Sequence, residues 1–471
     1  MNLLQPFFAE AAARGTRTAI VAADGTRASY SDLMAQSARL AAAWRRKGIG
    51  SGDRVLLAMP LGIALYASLA ALWRIGAVIV FPEPALGLKG LRHAVDATQP
   101  KAFLADGWFR ALRFAWPALW RIPMLSPADA TAGVDPMESV SADHPALISF
   151  TSGSTGRPKT IVRSHGFLAR QNACVAALLA PRREDETDLV AFPVFVLANL
   201  GLGVTSVLPN WNLRRHDAAD AASIARHADA HRVTRALVPP SICETLTRGP
   251  TPRLDAIFTG GGPVFPDLLE RLNARMPHTD VVAVYGSTEA EPIAHQHVRD
   301  IGADDWRAMR GGAGLLAGTP VPEIQLQLID DEIVVTGDHV NKGYLDRADD
   351  RATKLAIDGT VWHRTGDAGR LDAAGRLWLL GRLDGRAGDL FPFGVEAAAR
   401  FWPDVGQAAL IAIDGEAVLA IEGDTASRDL WQQQADRLGA LRVVPVDTMP
   451  LDRRHRSKID YARLRQVLRR R

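Results

Sequence analysis

Residues 55–73 form a run of nineteen without a single charge, long enough on length alone to cross a bilayer as one helix. The punctuation inside the run argues against that. Pro60 and Gly62 interrupt it, so that residues 55–59 read as a buried strand, Ile63–Ile75 as a helix and residues 77–81 as a second strand. Two short apolar strands joined by a helix make a βαβ unit, which requires a parallel sheet covered by helices. The same texture recurs at residues 146–150, 236–239, 256–259 and 281–285. The expected class is therefore α/β, with layered sheets flanked by helices and ligands gathered at the carboxyl ends of strands.

The chain has 471 residues, of which 47% are hydrophobic and 23% charged, enough for one large core and a smaller one. A helix over residues 31–47 is expected, with Ser31 as its cap and Gly48 just past its end. From residue 323 the pattern turns to β, with strands at residues 325–328, Glu332–Thr336, 361–364, 368–371 and 377–380, the last two joined by Asp372-Ala373-Ala374-Gly375. A glycine-bearing joint at residues 383–388 then marks a boundary. The expected division is a large domain, residues 1–382, with a β-rich subdomain at 322–382, and a small mobile α+β domain at 383–471.

Net charge is only +3, which argues against a nucleic-acid surface, and the basic excess is concentrated in the last nineteen residues. Cys174 and Cys243 stand apart from each other and from any His pair, so neither a disulfide framework nor a zinc site is expected. The first ten residues lack the charge-then-apolar pattern of a secretory signal, and a cytoplasmic location is expected. No transmembrane segment is expected, while peripheral contact with a membrane and the oligomeric state stay open.

The segment Phe150-Thr151-Ser152-Gly153-Ser154-Thr155-Gly156-Arg157-Pro158-Lys159 packs four hydroxyls, two glycines and a lysine into one turn. Glycines let backbone N–H groups converge on an anion, hydroxyls add donors, and the lysine adds a point charge. It is not a Walker loop, because Pro158 precedes the lysine and removes a donor. Four further segments carry comparable clusters of glycine, hydroxyl or charged residues. Gly260-Gly261-Gly262-Pro263 and Tyr285-Gly286-Ser287-Thr288-Glu289 each end a predicted strand. Thr365-Gly366-Asp367 follows one, with Gly381-Arg382 and Asp384 shortly after, and Arg456-Ser457-Lys458-Ile459 lies near the carboxyl end. Taken singly, each has a bland reading as a turn or a solvated charge.

Together and in this order, these segments resemble the AMP-forming acyl-activating enzymes, the superfamily of acyl-CoA synthetases, luciferases and peptide-synthetase adenylation domains. The resemblance covers nearly the whole chain. It implies that ATP is held by Thr151, Ser152, Gly153, Ser154, Thr155, Gly156 and Lys159, with adenine against Gly261, Gly262 and Tyr285. By the same resemblance, Gly286, Ser287 and Thr288 lie by the phosphates, Glu289 holds Mg²⁺, Asp367 and Arg382 take the ribose, Asp384 is the hinge, and Lys458 is catalytic. Glu289 and Thr288 share the catalytic role with Lys458.

The implied reaction joins a small carboxylic acid to AMP and releases pyrophosphate, and an apolar run at Phe192, Phe195, Val196, Leu197, Leu200 and Leu202 favours a fatty or otherwise hydrophobic acid. Buried-core packing accounts for that run equally well. The acyl group then passes to CoA or a similar thiol. The loop after Asp384 is short for a CoA ligase, however, and several segments, among them Phe192-Pro193-Val194-Phe195 and Asp452-Arg453-Arg454-His455, resemble bacterial olefin-pathway β-lactone synthetases. In that branch a β-hydroxy fatty acyl adenylate closes on its own hydroxyl. A nucleotide-binding protein without catalysis is the third reading, and the joint presence of Lys458 and Glu289 speaks against it.

Overall fold

The computed structural model describes residues 1–82, 87–152, 158–213, 219–439, 442–451 and 458–470, apart from the side chains of Ala115, Thr151 and Ser152. It forms two compact units. The first comprises Met1–Asn210, His231–Val233 and Asp338–Lys354, and the second Trp211–Ala230, Thr234–Gly337 and Leu355–Arg471.

The first unit contains the anticipated βαβ: strand Arg54–Ala58, helix Ile63–Ile75, strand Val78–Phe81. These strands pair in parallel with each other, and with Ala102–Ala105 and Pro145–Ser152 on either side, Met124–Leu125 lying beyond. Pro158–Ser164 folds back antiparallel as the last strand. Alternation along Arg54–Ala58 shows why the run reads as continuous apolar sequence. Val55 and Leu57 join a core with helices Tyr30–Arg46 and Ile63–Ile75, whereas Leu56 and Ala58 enter a second core with helix Gly87–Thr98. Both faces are covered, so neither face tolerates polarity. A further sheet in this unit runs in the order Thr187–Val190, Thr205–Val207, Thr18–Val21, Arg27–Ser29.

Helix Tyr30–Arg46 is capped by Ser29 rather than Ser31. The Ser29 hydroxyl accepts from the Asp32 N–H at 3.1 Å while the Asp32 carboxylate accepts from the Ser29 N–H at 2.9 Å, closing a capping box that Ser31 cannot form.

The second unit is built on a sheet in the order Gln325–Ile329, Glu332–Thr336, Thr360–Leu371, Leu377–Arg382, Leu315–Pro320, Ala290–His297, Asp280–Ser287, Ala256–Gly260, Arg235–Val238. The last three pair in parallel, and their neighbours are antiparallel. The two short strands expected at residues 361–364 and 368–371 are one strand, Thr360–Leu371, running through Gly366. Toward the carboxyl end, strands Val405–Ile413, Glu416–Gly423 and Arg442–Val446 form a small sheet, with helices Arg428–Gly439 and Tyr461–Leu468 packed on its two faces. No helix among the described residues is long and apolar enough to cross a membrane.

Candidate active site

In the second unit, parallel pairing places Gly260 opposite Val284, so the glycine turn that follows Ala256–Gly260 lies beside Tyr285. Only glycine fits at 260, because a Cβ there would sit 2.4 Å from the Val284 carbonyl oxygen. Tyr285 is the last residue of its strand to keep regular register with Ala290–His297. The ladder slips between Tyr285 and Ser287, and Thr288 and Glu289 form the connection. Thr288 is exposed and Glu289 half-buried.

The Tyr285 hydroxyl donates to Asp367 Oδ2 at 2.8 Å, and Arg382 Nη1 donates to Asp367 Oδ1 at 3.0 Å. Asp367 and Arg382 are direct cross-strand partners, so the ladder itself sets their approach. Arg382 Nη1 also donates to the Thr365 carbonyl at 2.8 Å. Gly366, with φ +71°, lies under that guanidinium, where a Cβ would stand 2.6 Å from Arg382 Nη2. The backbone is fixed from behind. Glu332 accepts from the Gly366 N–H at 2.9 Å and from Arg364 Nε at 2.6 Å, and the Thr365 hydroxyl donates to the Ile333 carbonyl at 2.8 Å.

Burial pushes the Tyr285 phenol well above its ordinary range, and the neighbouring Asp367 charge pushes it further, so it stays protonated as a donor. Burial opposes the charge on Arg382, yet Asp367 and Asp384 hold it raised. Each Asp367 oxygen accepts one of these bonds and keeps a lone pair. The Ser287 hydroxyl is buried and makes no hydrogen bond among the described residues. A patch holding a carboxylate with spare acceptor capacity, an arginine and an unsatisfied hydroxyl has the donors and acceptors that a nucleotide requires.

The remaining expected site residues are distributed as follows. Gly153, Ser154, Thr155 and Gly156 lie outside the described residues, and Thr151 and Ser152 are placed only by their backbone, at the end of Pro145–Ser152. Lys159 belongs to the first unit, opposite Thr151 in the ladder, with Nζ 5.5 Å from the centroid of the Tyr344 ring. Lys354 Nζ lies 5.4 Å from the same ring. Asp384 sits in the short turn Leu383–Gly385, 3.9 Å from Arg382 Nε. Lys458 is exposed in the second unit, next to Ile459, which bridges to Leu451. Of the apolar run, Val196 and Leu200 are core residues, while Phe192, Phe195, Leu197 and Leu202 are half-buried. Among the described residues no group of three or more His, Cys, Asp or Glu could hold a metal ion. Mg²⁺ needs no such group, since it keeps its waters and takes other ligands from phosphate.

Three participants gave no sequence signal. Glu332 reads as an ordinary charge at the start of a strand, yet is buried behind Gly366. Tyr344 lies nearly two hundred residues from Lys159 in the chain. Tyr461, on the helix after Lys458, donates to the buried Glu396 at 2.6 Å.

The model of the AMP-binding enzyme family matches residues 7–345, and the chain belongs to that family. It is an adenylate-forming ligase, of a family that uses ATP. An olefin beta-lactone synthetase of Xanthomonas campestris pv. campestris is 29% identical over 504 aligned residues, spanning 93% of this chain and 90% of that protein. A feruloyl-CoA synthase of an Amycolatopsis species is 31% identical over 437, spanning 85% and 86%. Among solved structures, ATP-bound MatB from Rhodopseudomonas palustris superposes with a TM-score of 0.83 at 22% identity, over 99% of each chain. This likeness bears on the fold.

Proposed function

We propose that this enzyme activates a hydrophobic carboxylic acid as its acyl adenylate and then closes a β-hydroxyacyl group on its own hydroxyl to give a β-lactone. The observation that carries the first half is the bracket of Tyr285, Asp367 and Arg382 beside Gly261 and Gly262. The spare lone pairs of Asp367 accept from the two ribose hydroxyls, the glycine turn gives the adenine edge close backbone contact, and Ser287 donates toward phosphate. The loop from Thr151 to Gly156 and Lys159 hold the leaving phosphates, and Lys458 guides the acid to the α-phosphate. Mg²⁺ bound at Glu289 would supply neutralising charge to the triphosphate. One carboxylate oxygen forms a bond to the α-phosphorus as the bond to pyrophosphate breaks. Two anions meet in this step, so catalysis rests on placed cations.

For the second half, the substrate's β-hydroxyl oxygen attacks the acyl carbon, AMP leaves, and the hydroxyl proton passes to solvent. Two observations support this ending over a thiol acceptor: similarity to β-lactone synthetases along 93% of the chain, and the short stretch between Asp384 and helix Pro392–Ala399. Within that stretch, Arg386 is tied to the Gly388 carbonyl at 2.8 Å. The second reading, transfer to CoA, is favoured by the 31% identical feruloyl-CoA synthase.

The deciding experiment follows pyrophosphate release from ATP with a panel of fatty, β-hydroxy fatty and aromatic acids, with and without CoA. Release with a β-hydroxy acid and no CoA, together with a neutral lactone by mass, is the expected result. A thioester formed only with CoA would select the second reading. Silence with every acid would return the chain to the class of nucleotide binders.

A further inference from the structure

Residues 107–128 contain Arg110, Arg113 and Arg121 and not one Asp or Glu, and they are unusually rich in aromatic residues. They begin with the 3₁₀ helix Gly107–Ala115 and the short helix Pro117–Trp120. The segment has two sides. Phe109, Leu112, Trp116 and the fully buried Leu119 pack into the core beneath helix Gly87–Thr98. Trp108, which stacks on Phe109 at 4.1 Å, Phe114 and Trp120 are instead exposed, to 64%, 77% and 55%. An exposed tryptophan or phenylalanine is unremarkable singly, but three within thirteen residues, interleaved with arginines, are not.

Helix Gly87–Thr98 extends the same character. Leu88 is 62% exposed, Lys89 is exposed beside it, and the Arg92 guanidinium stacks on Trp116 at 4.3 Å. Asp96, 3.6 Å from Arg92, is the sole acid on that helix. Arg113 braces the segment by donating to the Trp120 carbonyl at 3.1 Å, so the rings are presented from a fixed backbone.

We infer that this face is a docking surface for an anionic membrane, with Trp108, Phe114 and Trp120 entering the headgroup region and Arg110, Arg121 and Lys89 resting on lipid phosphates. Amphipathic rings favour the interface between water and hydrocarbon, and cations without neighbouring carboxylates are drawn to a negative leaflet. The charge pattern selects this occupant. A protein-binding patch of this size ordinarily has a mixed polar rim, whereas among the described residues here Lys89, Arg92, Arg110, Arg113 and Arg121 outnumber Asp96 and the half-buried Asp106. The inference stands apart from the reaction assigned above, since it uses none of the proposed nucleotide-binding residues.

The test is co-sedimentation of the purified full chain with vesicles of phosphatidylcholine alone and of phosphatidylcholine mixed equally with phosphatidylglycerol. Binding to the mixed vesicles is expected, weakening as salt is raised. The triple variant W108A/F114A/W120A should bind about tenfold or more weakly while melting at the wild-type temperature. R110A/R121A should lose the preference for the anionic vesicles. Failure of the wild type to bind, or equal binding by the triple variant, overturns the inference. So does self-association in sedimentation velocity that the triple variant abolishes, which would assign the face to a second copy of this chain.

Discussion

The Tyr461 phenol and the Glu396 carboxylate meet at 2.6 Å, and Glu396 Oε1 also accepts from the Leu410 N–H at 3.0 Å. Burial pushes the Glu396 carboxyl up to about 7, although Tyr461, the Leu410 amide and Arg400 pull the other way. Its folded value thus lies above the unfolded one. The stabilisation it gives is full below the unfolded value and disappears as pH rises through 7. Over that window the cost is about 3 kcal/mol. Glu396→Gln keeps the accepting oxygen and removes the titration. The melting temperature of the wild type should fall relative to this variant between about pH 5 and pH 8. Parallel curves would mean that Glu396 does not titrate there.

Tyr285→Phe removes the donor to Asp367 Oδ2 and leaves the ring. A hydrogen bond to a charged acceptor is worth about 1.5–3 kcal/mol and this one fixes the Asp367 carboxylate, so the Kd for ATP should rise about tenfold or more. Isothermal titration with ATP checks this, and an unchanged affinity would remove the bracket from nucleotide binding.

Gly366→Ala meets two penalties at once, the left-handed backbone and the guanidinium 2.6 Å from the new carbon. The backbone term alone is about 1–2 kcal/mol. The variant should unfold at lower denaturant and bind ATP weakly, and adding ATP should recover less stability than in the wild type. A wild-type denaturation midpoint would show that Arg382 moves aside freely.

Lys458→Ala should lower acid-dependent pyrophosphate release about 10²- to 10³-fold, leaving ATP binding within about twofold. Stopped-flow or radiolabelled pyrophosphate exchange measures the first quantity and calorimetry the second. Unchanged exchange would make Lys458 an ordinary surface cation.

Periodicity located helix Ile63–Ile75 and strand Glu332–Thr336 to the residue, because continuous apolar runs bounded by proline, glycine or charge leave few alternatives. It failed where chemistry rather than hydrophobicity decides an end. Ser29 and Ser31 differ only in which hydroxyl can reach the Asp32 amide. Thr365-Gly366-Asp367 looks like a loop, since glycine and two polar residues usually break a strand. It is held in the ladder, with Gly366 at φ +71°, by hydrogen bonds to the Glu332 carboxylate and the Ile333 carbonyl on the neighbouring strand, which lie outside any local window. The pairing of Tyr285 with Asp367, and of Tyr461 with Glu396, spans sixty residues or more and has no local trace.

Lys159 and Lys354 both lie over the ring of one tyrosine, and among the described residues no carboxylate pairs with Lys159. A cation parked on an aromatic ring keeps its full charge and gives up only about 0.5–1 kcal/mol when it departs. An incoming polyanion therefore has no internal counterion to displace, and the attraction it feels is already in place before the first contact.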